Sequence, residues 1–234
     1  MSRTLPILTT AALLGACSAR AAIIQPIPSP MMQGGMIHMN VTFLDQPTGT
    51  FTVHVDSGTP ELKPLTTWSA GNTFNPAHPW FDELDPTQSA LPFNSQYGFL
   101  VDAANSSTLP AGKGIGIRML SLTPGLQAYF YRGTTGSEDF TQVFMPGDTD
   151  VLWNGVMWHP LFTATQSGTH TAQFEVFLAD TAPVGTADYT TSFGLEPGYE
   201  TATFSVNLTA VPEPASAGLA ALGLAALAVL RRKR

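Results

Sequence analysis

Histidines, clustered carboxylates and tryptophans are the side chains of this 234-residue chain whose types and spacing could do chemistry. His38 and His54 lie on the polar faces of two successive alternating segments, with Asp56 close behind. If those segments pair, the two imidazoles could share a metal ion with the carboxylate beside them. The spacing holds neither a His-Glu-x-x-His element nor two histidines separated by one residue, so solvent-facing histidines without a metal are the expectation. Asp82-Glu83-Asp85 and Asp148-Asp150 could offer oxygens to Ca²⁺. Each supplies only two or three carboxylates, and neither follows the EF-hand order. Solvated turns are expected there, and a structural Ca²⁺ is the one cofactor these residues leave open.

The tryptophans offer a different chemistry, stacking on sugar rings. Trp153-Asn154-Gly155-Val156-Met157-Trp158-His159-Pro160 holds two tryptophans and a histidine, and Ala77-His78-Pro79-Trp80-Phe81 repeats the His-Pro pairing with Trp68 upstream. Trp68, Trp80, Trp153 and Trp158 are therefore candidate glycan contacts. The competing reading is that such large aromatics pack in the core. There is no Gly-x-Ser-x-Gly elbow and no phosphate-cradling glycine loop. The sole cysteine, Cys17, lies near the N-terminus, which excludes thiol catalysis further along. The chain reads as a non-enzyme.

These residues need strands to position them. Met36–Leu44 alternates Ile37, Met39, Val41 and Phe43 with His38, Asn40 and Thr42, and Thr50–Asp56 sets Phe51, Val53 and Val55 against Thr52, His54 and Asp56. Both are half-buried strands by period. Tyr97–Val101, Gly114–Leu122, Leu126–Tyr131, Thr141–Met145 and Val151–Trp158 are further candidates, separated by Pro or Gly turns. His170–Ala179 places Ala172, Phe174, Val176 and Leu178 on one face, and Thr201–Ala210 places Ala202, Phe204, Val206 and Leu208 likewise. About eight or nine short strands favour one antiparallel β-sandwich or jelly roll over residues 22–210. Helical stripes are missing outside the terminal segments, which argues against a parallel β-α-β sheet. Gly58–Pro92, rich in Pro, Thr, Asn and Ser, reads as a long surface excursion.

Both ends depart from this pattern. Arg3 precedes an apolar stretch from Leu5 to Ala16, and Ala19-Arg20-Ala21 fits a signal-peptidase site, so residues 1–21 read as a signal peptide cut ahead of Ala22. Leu14-Gly15-Ala16-Cys17 is a competing lipobox, in which an acylated Cys17 would form the new N-terminus. At the other end Val211-Pro212-Glu213-Pro214 is followed by the uncharged Ala215–Leu230 and then Arg231-Arg232-Lys233-Arg234. As a helix the apolar span would measure roughly 24 Å at about 1.5 Å per residue, short against a hydrocarbon core of roughly 30 Å. Snorkelling basic side chains recover part of that deficit. The basic stop favours the cytoplasmic side and leaves residues 22–210 outside.

Pro212-Glu213-Pro214, the apolar span and the basic terminus, in that order, resemble the PEP-CTERM sorting signal of exported bacterial proteins. The resemblance covers residues 211–234 only. It implies a transient stay in the inner membrane, processing by an exosortase-type protease in a Gram-negative-type envelope, and association with extracellular polymer. The Pro-Glu-Pro residues would act as substrate.

Six of the ten basic residues lie in the two terminal segments, leaving Lys63, Lys113, Arg118 and Arg132 against every acid but Glu213. So acidic a region repels phosphate backbones, and nucleic acid is not an expected partner. The expectation is an exported, non-enzymatic cell-surface or extracellular-matrix protein associated with exopolysaccharide. The alternative is a carbohydrate-binding module that uses its tryptophans.

Overall fold

The computed structural model describes residues 35–45, 49–63, 84, 91–132, 139–145 and 150–211. Among them the chain forms thirteen strands: β1 (Ile37–Leu44), β2 (Thr50–Val55), β3 (Glu61–Leu62), β4 (Phe93–Asn94), β5 (Tyr97–Val101), β6 (Gly114–Leu122), β7 (Leu126–Arg132), β8 (Asp139–Val143), β9 (Val151–Trp153), β10 (Leu161–Ala164), β11 (Gly168–Ala179), β12 (Ala187–Asp188) and β13 (Ala202–Ala210). They make three sheets, ordered β2-β1-β5, β4-β10-β7-β8 and β12-β9-β6-β11-β13-β3. The fold is all-β. Among the described residues no helix is long and apolar enough to cross a membrane. The expected signal peptide over 1–21, with Cys17, Ala19 and Ala21, and the expected span over 215–230 lie outside the described residues.

Alternation decides which face each long strand buries. Met39, Val41 and Phe43 of β1 are fully buried while His38, Asn40 and Thr42 are half-buried on the opposite face. β13 is read the same way, with Phe204, Val206 and Leu208 inward and Thr203, Ser205 and Asn207 exposed. β11 lies between β6 and β13, antiparallel to both, and a bulge opposite Gln173 and Phe174 shifts the β6 register by one residue. Two pairings are parallel, β1 with β5 and β13 with β3. Two of the three sheets are therefore mixed, where an antiparallel sandwich was expected, and the long segment between β2 and β5 lets the chain return beside β1 in the same direction.

Other departures have local causes. The expected Val151–Trp158 strand stops at Trp153 because Asn154 and Gly155 turn the chain, with the Val156 amide donating to Asn154 Oδ1 at 2.9 Å. Trp158 instead bridges to Phe99 of β5, in the three-stranded sheet. β10 gives no alternation to read, since all four of its residues are buried.

One core draws on all three sheets. Phe99 of β5 stacks on Trp158 at 5.5 Å and meets Trp153, Phe174 and Phe204 edge-on or tilted. Phe130 of β7 reaches Trp158 at 5.6 Å, and Phe162 of β10 reaches Phe174 at 6.5 Å. Phe144 adopts a left-handed φ of 57° to turn its ring inward at 5.1 Å from Phe174, a conformation that costs a non-glycine residue about 1 kcal/mol. The Tyr97 hydroxyl donates to the Asn207 carbonyl at 3.0 Å, tying β5 to β13. Trp153 and Trp158 are 0% and 6% exposed. This corrects their candidacy as glycan contacts, because neither ring keeps a face open to a sugar. Trp68 and Trp80 lie outside the described residues.

Phe174 touches Phe99, Phe144, Phe162 and Phe204. Phe174→Ala should therefore lower the unfolding free energy by about 3–5 kcal/mol. Thr203→Ala, on the exposed face of β13, should stay within about 0.5 kcal/mol. Urea titration followed by tryptophan fluorescence reads both.

Candidate functional site

A cleft of about 840 Å³ opens where β6, β8 and the segment after β12 converge. It is lined by Arg118 and Met119 of β6, Thr141 and Gln142 of β8, Met145, Asp150, and the run Tyr189 to Phe193. Arg118 sits outward on β6, opposite Glu175 of β11. Its guanidinium holds Asp150 Oδ2 at 2.8 and 2.9 Å through two nitrogens and Glu175 Oε2 at 3.4 Å through the third. It also lies 4.7 Å over the Phe177 ring. Phe177 fits there because Gly116 beneath it has no side chain; a Cβ would come within 2.4 Å of the ring. One wall of the cleft is thus a fixed ion pair on an aromatic platform.

The opposite wall is anchored at Asp188. Its carboxylate accepts from the Thr190 amide and hydroxyl, each at 2.7 Å, from the Thr191 amide at 3.3 Å, and from the Thr191 hydroxyl. Burial pushes the carboxyl up, but the hydroxyls of Thr191 and Thr190 and the two amides outweigh it and hold the pKa at about 2. Tyr189 donates to Asp139 at 3.1 Å, and Thr141 Oγ1 lies 3.0 Å from the Tyr189 hydroxyl. The lining is rich in hydroxyl, amide and paired charge, with Phe193 and two methionines between.

His54 faces solvent as expected, whereas His38 is half-buried. β1 and β2 do pair, but His54 registers with Asn40, and Asp56 falls opposite His38. Asp56 binds the His38 Nδ1 at 3.2 Å and Asn40 Nδ2 at 3.0 Å, while His54 Nε2 is 4.0 Å away and its side chain 81% exposed. The His159 ring sits over Gly98, the residue of β5 that pairs with His38. Among the described residues no group of three or more His, Cys, Asp or Glu side chains is placed to hold a metal ion. Asp150, one half of an expected calcium pair, is engaged by Arg118. Asp82, Glu83, Asp85 and Asp148 lie outside the described residues, as does His78. His170 is buried, its Nε2 donating to the Gln166 carbonyl at 2.8 Å.

Sequence reasoning missed Tyr189, Thr190, Thr191, Gln142 and the role of Arg118. The run Asp188-Tyr189-Thr190-Thr191-Ser192 carried a usable signal, because an aspartate followed by hydroxyl residues caps a turn with its own side chain.

The last strand bears on the C-terminal motif. Ala210 pairs with Gly168 of β11 on one side and with Leu62 of β3 on the other. The Val211 amide then donates to the Leu62 carbonyl at 3.1 Å. In sequence, Pro212 comes directly after Val211, so the Pro-Glu-Pro motif follows a doubly paired strand. Residues 210–234 match the family model of the PEP-CTERM protein-sorting motif. The chain carries a PEP-CTERM sorting signal. The motif implies exosortase-dependent processing, by a membrane protease, and export through the membrane to the cell surface. Its residues Pro212, Glu213 and Pro214 and the basic stop Arg231, Arg232, Lys233 and Arg234 lie outside the described residues. No curated protein matches the chain.

Because the folded pKa of Asp188 lies below its ordinary value near 3.8, its stabilisation is full above that value and disappears as pH falls toward about 2. About 2 kcal/mol is at stake by this linkage. Asp188→Asn should flatten the dependence of the urea midpoint on pH between 4 and 2, and equal acid sensitivity in wild type and variant would count against it.

Proposed function

We propose that the chain is an exported, non-enzymatic cell-surface or extracellular-matrix protein, folded as a single β-sandwich of jelly-roll type and cut at its PEP-CTERM signal by an exosortase. The observation that carries this reading is the sorting motif beginning where β13 ends. The domain is finished as a body at Ala210, and everything after it serves delivery. A non-enzymatic role is supported by the carboxylates around the cleft. Asp150 is ion-paired to Arg118, Asp139 is bonded to Tyr189 and Thr141, and Asp188 is held ionised by Thr190 and Thr191.

The polymer partner in this reading is exopolysaccharide, and the cleft is where it would be held. Gln142, Thr141, Thr190, Ser192 and the Arg118–Asp150 pair offer the donors and acceptors that sugar hydroxyls need, with Tyr189 and Phe193 as apolar contacts. This moves the carbohydrate-binding alternative from the tryptophans to the cleft. An acidic domain suits a neutral polymer better than a polyanion.

Replacing Pro212, Glu213 and Pro214 by alanine should leave full-length protein in the inner membrane, read by intact mass and fractionation. Normal amounts of processed protein would refute the sorting assignment. For the cleft, Tyr189→Ala together with Gln142→Ala should abolish retention of the protein on its host's purified exopolysaccharide in affinity electrophoresis. Trp153 and Trp158 are poor targets for that test because truncating them empties the core. Unchanged retention by a folded double variant would remove the cleft from the reading while leaving the sorting step intact.

A further inference from the structure

His38 and His159, each with a buried ring nitrogen that has nothing to bond, share the outer face of β1 and β5. His38 is paired with Gly98 in the parallel ladder of these strands. Substituents at paired positions share a face and stand about 5 Å apart. Gly98 has no side chain, and the His159 imidazole takes its place. A Cβ on Gly98 would sit 2.4 Å from Cε1 and 2.7 Å from Nε2 of that ring. His159 arrives there because Trp158 bridges to Phe99, the next residue of β5. Asp56, His38 and His159 thus form one row across the sheet.

Each ring is oriented through Nδ1. The His159 Nδ1 lies 3.0 Å from the Ser95 carbonyl oxygen, which can only accept, so Nδ1 carries the proton and Nε2 the lone pair. The His38 Nδ1 donates to Asp56 Oδ2 at 3.2 Å, and that carboxylate is steadied by the His38 amide at 3.1 Å and by Asn40 Nδ2 at 3.0 Å. Both Nε2 atoms are sealed from solvent and neither has a hydrogen-bond partner. Two buried acceptors without a donor are costly to maintain. An imidazole whose Nδ1–H is held by a carboxylate or a carbonyl is the arrangement that second-shell partners impose on metal-ligating histidine.

We propose that His38 and His159 bind a borderline divalent cation of the Zn²⁺ class through their Nε2 atoms, with Asp56 and the Ser95 carbonyl as positioning partners. Neutral imidazole selects this class over Ca²⁺ and Mg²⁺. Two protein nitrogens leave the remaining positions to water, so the site binds more weakly than a four-ligand structural centre. His38 keeps 28% of its side-chain surface, and a cation enters by movement of that ring without opening the core. His54 faces solvent and takes no part.

The test uses the full chain in detergent, made metal-free and carrying Cys17→Ser so that no thiol competes. Titration with Zn²⁺ followed by calorimetry should give saturable uptake of one equivalent that excess Ca²⁺ does not displace. His38→Gln and His159→Gln should each weaken it by about 10–100-fold, and Asp56→Asn by about tenfold. His170→Gln, which alters a buried histidine elsewhere, should bind like wild type. Independently of any variant, ring-nitrogen NMR of the unmutated histidines should show both Nε2 unprotonated and both shifting on Zn²⁺ addition. No saturable uptake, a proton on either Nε2, or full uptake by a variant with the wild-type circular dichroism spectrum would each overturn the proposal.

Discussion

The fold depends on one aromatic contact set: Phe99 against Trp158, Phe174 and Phe204. The domain between the terminal segments has no cysteine, so no covalent staple shares the load. Phe99 belongs to the smallest sheet, Phe174 and Phe204 to the largest, and Phe130 and Phe162 bring in the third. Removing ring area at this junction leaves a void that three sheets border, and no single sheet can move to fill it. The parallel pairing of β1 with β5 and the bridge from Phe99 to Trp158 hold the Phe99 ring at this junction.

What faces outward is positioned by that inward packing. Trp158 is pinned by its stacking, so His159 must fall over Gly98. Phe177 lies on the far side of β11 from Phe174, on Gly116, and so carries Arg118 at the edge of the cleft. Asp188 performs the same service for the facing wall, through hydrogen bonds in place of apolar contact. Histidine row and cleft alike are surface chemistry held by elements whose other face is core.

Strands with one wet face were legible in the sequence, since β1, β2 and β13 alternate and their burial follows the alternation residue by residue. β10 was not, because Leu161, Phe162, Thr163 and Ala164 are buried on both faces and leave no period to read. β3, β4 and β12 have two residues each, too few to carry a pattern. Trp153 and Trp158 were open between two readings because their type suits both a sugar platform and a core, and packing decides for the core. The neighbour of His38 depended on a pairing between strands far apart in sequence. Its one trace was Gly98 inside an otherwise apolar strand, the mark of a close approach by something else.

β13 has a consequence for the order of events during export. It lies between β11 and β3, and Thr209 and Ala210 pair with Glu61 and Leu62 near the opposite end of the domain. A chain that emerges N-terminus first exposes the β11 edge, with its ladder groups unpaired, until the last strand has cleared the channel. Open edges of this kind seed aggregation between chains. The sorting signal begins at residue 210, where β13 ends, so the strand that covers this edge is also the one that leads into the signal. Closure of the sheet and delivery of the chain thus meet at one strand, the last to leave the channel and the one that shields the β11 edge.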